Sequence, residues 1–325
     1  MKSALIIGIT GQDGAYLAKL LLEKGYAVAG TSRDAQMART ANLRLLGVAD
    51  KVALHSASPS DFRGLWQVIE KTRPDEIYNL AGQSSVGLSF DQPLETFESV
   101  AVATLNILEL LRLLGRPVRF YNACSSECFG HTPEPANEET PFKPRSPYAV
   151  AKAATCWAVA NYREAYGLFA CSGILFNHES PLRPTRFVTS KIVSTACRIA
   201  AGSGERLSLG NTDVVRDWGW AAEYVDAMWR MLQHPEPEDF VIATGRSHSL
   251  MEFTAQAFAA VGLDHAEHVD TRPELLRPAD IPVSKGDPSK ARELLGWSAS
   301  KDMPLVVKEM VRAQQERLRL QENCS

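Results

Sequence analysis

Four side chains near the middle of the sequence carry groups that could move protons on a polar substrate: Ser125, Glu127, Tyr148 and Lys152. In Tyr148-Ala149-Val150-Ala151-Lys152 the phenol and the ammonium are four residues apart, so a helix would present them on one face. Pro144 and Pro147 mark the entry to that helix. A phenol with a reference pKa near 10 is a poor base, but a nearby ammonium and further positive charge would favour the phenolate. Bringing its pKa toward ~7 takes about 4 kcal/mol. A half-buried aromatic beside a surface lysine would show the same spacing. In Ser125-Ser126-Glu127, a hydroxyl could hydrogen-bond a reacting substrate oxygen and a carboxyl could remove and deliver protons. The same three residues could equally form a loop bonded to its own backbone.

A glycine-rich turn favours the catalytic readings. Gly8-Ile9-Thr10-Gly11-Gln12-Asp13-Gly14 follows an apolar strand and opens a helix containing Tyr16, Leu17, Leu20 and Leu21. Gly8 would allow the tight turn, Gly11 the approach of a pyrophosphate and Gly14 close helix packing, with helix N–H groups free for the phosphates. The second strand runs out in Thr31-Ser32-Arg33-Asp34. An acid there would hold a free ribose 2′-hydroxyl, and a guanidinium beside hydroxyls would hold a 2′-phosphate. Arg33 comes first and Arg39 is near, which favours NADP. NAD is the alternative if Asp34 takes the ribose.

These groups need a scaffold. Short apolar runs at 3–8, 26–31, 51–55, 75–80, 118–123 and 168–176 read as strands, separated by segments of helix length. Such alternation predicts an α/β fold, a doubly wound parallel Rossmann sheet that binds ligands beyond the carboxyl ends of its strands. Ser125-Ser126-Glu127 stands at such an end. After about 175 the pattern loosens into loops, a helix over 188–201, a polar stretch over 206–218 and further helices, with Pro181, Arg183, Pro184, Arg186, Arg272, Pro273, Arg277 and Pro278. We therefore expect an NADP-binding domain over 1–175 and a smaller substrate-binding lobe over 176–325, with a soft boundary and chain segments that can interleave.

Composition narrows the partners. The chain has 325 residues, 45% of them hydrophobic, enough for a full core, and its net charge of -3 offers no basic field for nucleic acid. Cys124, Cys128, Cys156, Cys171, Cys197 and Cys324 show no spacing typical of zinc or redox sites and read as buried or free thiols, with no metal site expected. No apolar run reaches the roughly 18 residues of a membrane span. A reducing cytoplasm is the expected compartment, without a membrane partner.

Longer stretches carry a resemblance. They are Gly8-Ile9-Thr10-Gly11-Gln12-Asp13-Gly14-Ala15-Tyr16-Leu17, Tyr78-Asn79-Leu80-Ala81-Gly82-Gln83-Ser84, Pro144-Arg145-Ser146-Pro147-Tyr148-Ala149-Val150-Ala151-Lys152, Asn161-Tyr162-Arg163-Glu164-Ala165-Tyr166-Gly167-Leu168, Gly173-Ile174-Leu175-Phe176-Asn177-His178-Glu179-Ser180-Pro181 and Arg216-Asp217-Trp218-Gly219. With these the chain resembles the GDP-mannose 4,6-dehydratases of the extended short-chain dehydrogenase family. The first three stretches occur across nucleotide-sugar enzymes, and the last three are more particular to this family.

The resemblance implies a hydro-lyase that converts GDP-mannose into GDP-4-keto-6-deoxymannose through internal hydride transfer. It implies Ser125, Glu127, Tyr148 and Lys152 as the catalytic four, Ser125 standing where threonine is usual. For the cofactor it implies Gly8, Thr10, Gly11, Gln12, Asp13, Gly14, Ser32, Arg33, Leu80, Ala81, Gln83, Tyr148, Lys152, His178 and Arg183. For the substrate it implies Ser84, Asn177, Val188, Lys191, Arg216 and Arg277, where guanidinium groups suit a diphosphate. The helices over 96–114 and 147–166 resemble those that pair subunits in the superfamily, implying a homodimer or homotetramer. Several positions depart from the family pattern: Arg33-Asp34-Ala35 replaces paired arginines, Ser58 an aspartate, Ser85 a histidine, and Cys128 and Phe129 an aromatic-rich neighbourhood. Related readings are a GDP-heptose 4,6-dehydratase, a 4-epimerase or 4-keto reductase, and a nucleotide-sugar-binding regulator without turnover. Glu127 favours elimination over epimerisation.

Overall fold

The computed structural model describes residues 1–322; Cys324 lies outside them. Fourteen strands form: β1 (Ser3–Ile7), β2 (Ala27–Ser32), β3 (Ala53–Ser56), β4 (Glu76–Asn79), β5 (Arg119–Ser125), β6 (Thr132–Ala136), β7 (Ala170–Leu175), β8 (Asn177–Glu179), β9 (Leu207–Leu209), β10 (Val215–Trp220), β11 (Phe240–Ile242), β12 (Ser247–Ser249), β13 (Val269–Thr271) and β14 (Ser284–Gly286). Seven of them make one parallel sheet in the order β11-β7-β5-β4-β1-β2-β3. The expected doubly wound α/β sheet is therefore present, and the order reverses between β1 and β4, where a crevice opens at the strand ends.

The central strands are apolar on both faces because helices cover both. Leu5, Ile7, Ile77 and Phe120 pack with Leu65, Ile69, Ile107 and Leu111 on one side. Ala4, Ile6, Tyr78 and Tyr121 pack with Leu17, Leu21, Met228 and Leu232 on the other. The helix that matters most for the site, Pro147–Tyr166, is set by local chemistry. The Ser146 hydroxyl accepts from the Ala149 N–H at 3.1 Å, Pro147 occupies the first turn, and Gly167 ends the helix at φ +64.

The two expected units interleave. Helix Ala221–Gln233 packs against helix Gln12–Glu23, and β11 adds a seventh strand beside β7, so residues well past 175 return to the sheet. The remaining C-terminal segments build a second core. Helices Val188–Ala200, Leu250–Ala259 and Met303–Glu322 enclose Ile192, Leu209, Trp218, Phe253 and Val307. The stretch over 206–218, expected to be irregular, holds β9 and most of β10. Its strand signal is hidden because β10 buries Arg216 and Asp217 (6% and 0% exposed) rather than apolar side chains.

One expectation about cysteine is overturned. Cys124 and Cys156 are joined by a disulfide, 32 residues apart in sequence, because the end of β5 packs directly on helix Pro147–Tyr166. Cys128, Cys171 and Cys197 are buried thiols. No helix among the described residues is long and apolar enough to cross a membrane.

Candidate active site

A cleft of about 420 Å³ opens beyond the carboxyl ends of β4, β5 and β7 and runs under the C-terminal lobe. β5 delivers Ser125 as its last residue, and the following tight turn, Ser126–Phe129, delivers Glu127. The Glu127 backbone N–H donates to the Ser125 hydroxyl at 3.3 Å, which ties the Ser125 side chain to the turn that carries Glu127. Helix Pro147–Tyr166 brings Tyr148 and Lys152 to the same wall. All four expected catalytic residues therefore line one cleft.

Three consecutive residues of β5 fasten that strand to the helix. Asn122 donates to the Thr155 hydroxyl at 3.1 Å, the Ala123 carbonyl accepts from Lys152 Nζ at 2.7 Å, and Cys124 is bonded to Cys156. Asn79 of β4 extends the polar line by donating to Asn122 at 3.2 Å.

The electrostatics differ from the simple phenolate expectation. Burial pushes the Tyr148 phenol well above its ordinary value, and the hydrogen bond with Ser125 offsets only part of this. Burial also brings the Lys152 ammonium down to about 8, against the opposing pull of Cys128 and Asp13. Lys152 Nζ points to the Ala123 carbonyl, 5.9 Å from the Tyr148 ring centre, so the chain alone does not create a phenolate. Glu127 is raised by burial, with Arg216 and Arg277 pulling the other way. A carboxyl in that balance can exchange a proton nearer neutrality than an exposed one.

The glycine-rich turn has the shape a dinucleotide needs. Gly8 has φ +92, and a Cβ on it would lie 2.9 Å from the Ala81 nitrogen. A Cβ on Gly14 would lie 2.4 Å from the Gly8 carbonyl. Gly11 begins the helix with no side chain capping it, which leaves the first-turn N–H groups for a pyrophosphate. At the end of β2, Asp34 accepts from the N–H groups of Gln36 and Met37 at 2.9 and 3.1 Å. Arg33 is exposed and, among the described residues, engages no carboxylate, so it is the group there suited to a 2′-phosphate beside Ser32.

Several other expected contacts are bonded to one another. His178 Nε2 lies 2.9 Å from the Asp13 carboxylate and its Nδ1 lies 2.7 Å from the Phe176 carbonyl, while the ring stacks on Tyr224. Burial would raise Asp13, yet His178 and Arg183 hold its carboxyl down at about 2. Gln12 donates to the His178 carbonyl and accepts from Ser180, and Arg183 pairs with Glu179 at 2.8 Å. Gln83 spends its amide on Ser85 and Thr96 within its own loop. Asp13, Leu80, Ser84, Asn177, His178, Arg183, Val188, Lys191, Arg216 and Arg277 share the cleft with the catalytic four. Gly8, Thr10, Gly11, Gln12, Gly14, Ser32, Arg33, Ala81 and Gln83 do not line it; the first seven belong to the turn after β1 and the end of β2.

Asp280 escaped the sequence reading. It accepts from Arg216 at 3.2 Å and lies 3.6 Å from Arg277, so one carboxylate orients both guanidinium groups. Arg216 also donates to the Ile281 carbonyl at 2.7 Å, and Lys191 to the Ser208 carbonyl at 2.6 Å. The only signal in the sequence was a lone acid three residues after Arg277. Among the described residues no group of three or more potential ligands is placed to hold a metal.

The fold has close counterparts. A dTDP-glucose 4,6-dehydratase of Streptomyces venezuelae, solved with NAD bound, superposes with a TM-score of 0.88 at 20% identity, covering 99% of both chains. A UDP-glucose 4-epimerase of Thermotoga maritima gives 0.87 at 23% identity over 97% of this chain and 99% of its own. The sequence is much nearer to other proteins. GDP-mannose 4,6 dehydratase 1 of Arabidopsis thaliana is 47% identical, covering 95% of this chain and 89% of the relative. GDP-mannose 4,6-dehydratase of Sinorhizobium fredii is 44% identical over 96% of both. A family profile described as GDP-mannose 4,6 dehydratase matches residues 5–310, and the chain belongs to that family.

Proposed function

We propose that the protein dehydrates GDP-mannose to GDP-4-keto-6-deoxymannose. The observation that carries this reading is the placing of Ser125, Glu127, Tyr148 and Lys152 on one cleft that Arg216 and Arg277 also line. The two arginines receive the substrate diphosphate, with Lys191 and Asn177 beside them. That fixes the sugar against β5.

When bound, NADP supplies a nicotinamide ring that accepts hydride from C4 of the sugar and returns it to C6. Tyr148 takes the C4 hydroxyl proton on its phenol oxygen, and the Ser125 hydroxyl donates to the carbonyl oxygen that develops at C4. Because burial alone raises Tyr148, the step needs the added positive charge that accompanies the oxidised cofactor. Glu127 then takes the C5 proton, acidified by the neighbouring ketone, and delivers it to the departing C6 hydroxyl, and the proton held by Tyr148 goes to C5 as C6 is reduced. Its raised pKa suits both halves of that exchange.

The assembly we propose is at least a dimer, a homodimer or homotetramer. Val150 and Trp157, 46% and 61% exposed, lie two turns apart on helix Pro147–Tyr166 beside the exposed Leu94 and Phe97. Such an apolar face suits a second copy of the same chain. The compartment we propose is the cytoplasm.

Mass spectrometry of the product tests the reading. Incubation with GDP-mannose should yield a nucleotide sugar lighter by one water. An unchanged mass would point to an epimerase or to binding without turnover.

A further inference from the structure

Three cysteines crowd the back of the catalytic wall, and each adjoins a residue of the proposed site. Cys124 precedes Ser125, Cys128 follows Glu127, and Cys156 is one helical turn beyond Lys152. Cys124 and Cys156 are bonded, with their Cα atoms 6.4 Å apart. The Cys128 sulfur lies 3.6 Å from that of Cys124. Around them Phe129, Ala153, Ile174 and Phe176 form an apolar packet. Cys124, though buried, is also one of the residues that line the cleft.

We propose that Cys124 and Cys156 are a reversible, peroxide-responsive thiol pair whose disulfide locks the catalytic strand to the catalytic helix. Disulfides in a reducing compartment are commonly transient and redox-sensing. The Cys124 sulfur attacks a peroxide, breaking the O–O bond to give a sulfenic acid and water. The Cys156 sulfur then displaces the hydroxyl oxygen, forming the S–S bond and a second water. Two sulfurs lose one electron each, and the peroxide is reduced. A low-molecular-weight thiol reverses the change and is itself oxidised to its disulfide.

The locked form is the assembled one. With the bond in place, Lys152 Nζ reaches the Ala123 carbonyl, and Ser125 and Tyr148 line the same cleft. Reduction removes the covalent tie at Cys124 and leaves hydrogen bonds, Asn122–Thr155 and Lys152–Ala123 among them, to join strand and helix. Ser125, the next residue along the strand, loses the covalent anchor beside it. Cys156 thus acts as a positioning residue for the reacting end of the strand and touches none of the substrate subsites above.

The experiment uses the full-length holoenzyme, reduced with dithiothreitol and then treated or not with hydrogen peroxide. Alkylation after denaturation should count six thiols in the reduced protein and four after peroxide, with a Cys124–Cys156 peptide in the digest. In Cys156→Ser, peroxide with dimedone should label Cys124. Melting should rise on the order of 5 °C on oxidation of the wild type and not of the variant. The activity arm rests on the dehydratase reading: kcat should be two- to fivefold higher in the oxidised enzyme, with KM unchanged and no redox dependence in Cys156→Ser. Six thiols after peroxide, a label on Cys128 alone, or equal melting and equal kcat in the two states would each overturn the proposal. Thiol counts and melting need no substrate, so failure of the dehydratase reading is read separately.

Discussion

The Asp13 carboxylate, in the glycine-rich turn, meets the His178 imidazole of β8 at 2.9 Å, joining residues 165 positions apart in sequence. The turn offers N–H groups to a cofactor phosphate, and β8 pairs with β10, the strand that carries Arg216. Through this pair the proposed cofactor and substrate sides share one bonded network. The partners of Asp13 hold its carboxyl at about 2, below its ordinary 3.8. Because the folded value is the lower one, the stabilisation is complete above about pH 4 and is lost as pH falls toward 2.

Asp13→Asn keeps the size of the side chain and removes the charge. It should cost about 1–2 kcal/mol at pH 7, the Coulombic gain being discounted for partial solvent access. Urea unfolding of both proteins at pH 7, 5 and 3 measures it. The gap should be full at pH 7 and 5 and roughly halved at pH 3. A gap that stays constant across this range would remove the Asp13 charge from the account.

We propose that cofactor choice turns on Arg33. Asp34 is occupied by backbone N–H groups, so the guanidinium is left to meet a ribose phosphate. Denaturing the purified protein should release NADP. Arg33→Ala should weaken NADP binding about tenfold, a charge-assisted contact, while leaving NAD affinity nearly unchanged. Equal losses for both nucleotides would assign the discrimination to another group.

Much of the scaffold was legible because short apolar runs alternate with segments of helix length. β1, β2, β4, β5 and β7 are mostly buried, and helix Pro147–Tyr166 has a proline entry and a glycine exit. β11 was not legible, since three residues give too little pattern. Asp280 and the Cys124–Cys156 bond were hidden for a different reason. Each depends on which elements meet, β10 with the 280s loop and β5 with the catalytic helix, and such meetings are set by tertiary packing.

Lys152 illustrates a site residue that weakens its own fold. Burial lowers its folded pKa to about 8 from an ordinary 10.5, so the ammonium costs stability below pH 8 and that cost fades as pH rises toward 10.5. Lys152→Met fills the space without a charge. Stripped of nucleotide, it should be about 1–2 kcal/mol more stable than the parent at pH 7, after loss of the bond to Ala123, and the gain should shrink by pH 10. Turnover should vanish. Urea unfolding at the two pH values tests the sign, and a variant less stable at pH 7 would show that the Ala123 contact outweighs desolvation.

Glu127→Gln separates elimination from oxidation. Glutamine retains the length and hydrogen-bonding reach of the side chain but cannot accept the C5 proton. Tyr148, Lys152 and Ser125 are untouched, so the C4 hydroxyl should still be oxidised once per site. Elimination should slow by at least ~10²-fold, the ordinary size of a lost general acid–base contribution. Mixed with GDP-mannose, the variant should show one stoichiometric rise in reduced-nicotinamide absorbance, with a 4-keto sugar held in the cleft and little dehydrated product. The parent returns hydride within each turnover and should show little standing absorbance. Loss of the carboxylate also removes a negative charge facing Arg216 and Arg277, so GDP should bind at least as tightly as in the parent. A burst with unchanged or tighter GDP binding would mark Glu127 as the base alone. Dehydration at the parental rate would take Glu127 out of the reaction and, with it, the chief structural reason to expect elimination rather than epimerisation from this cleft.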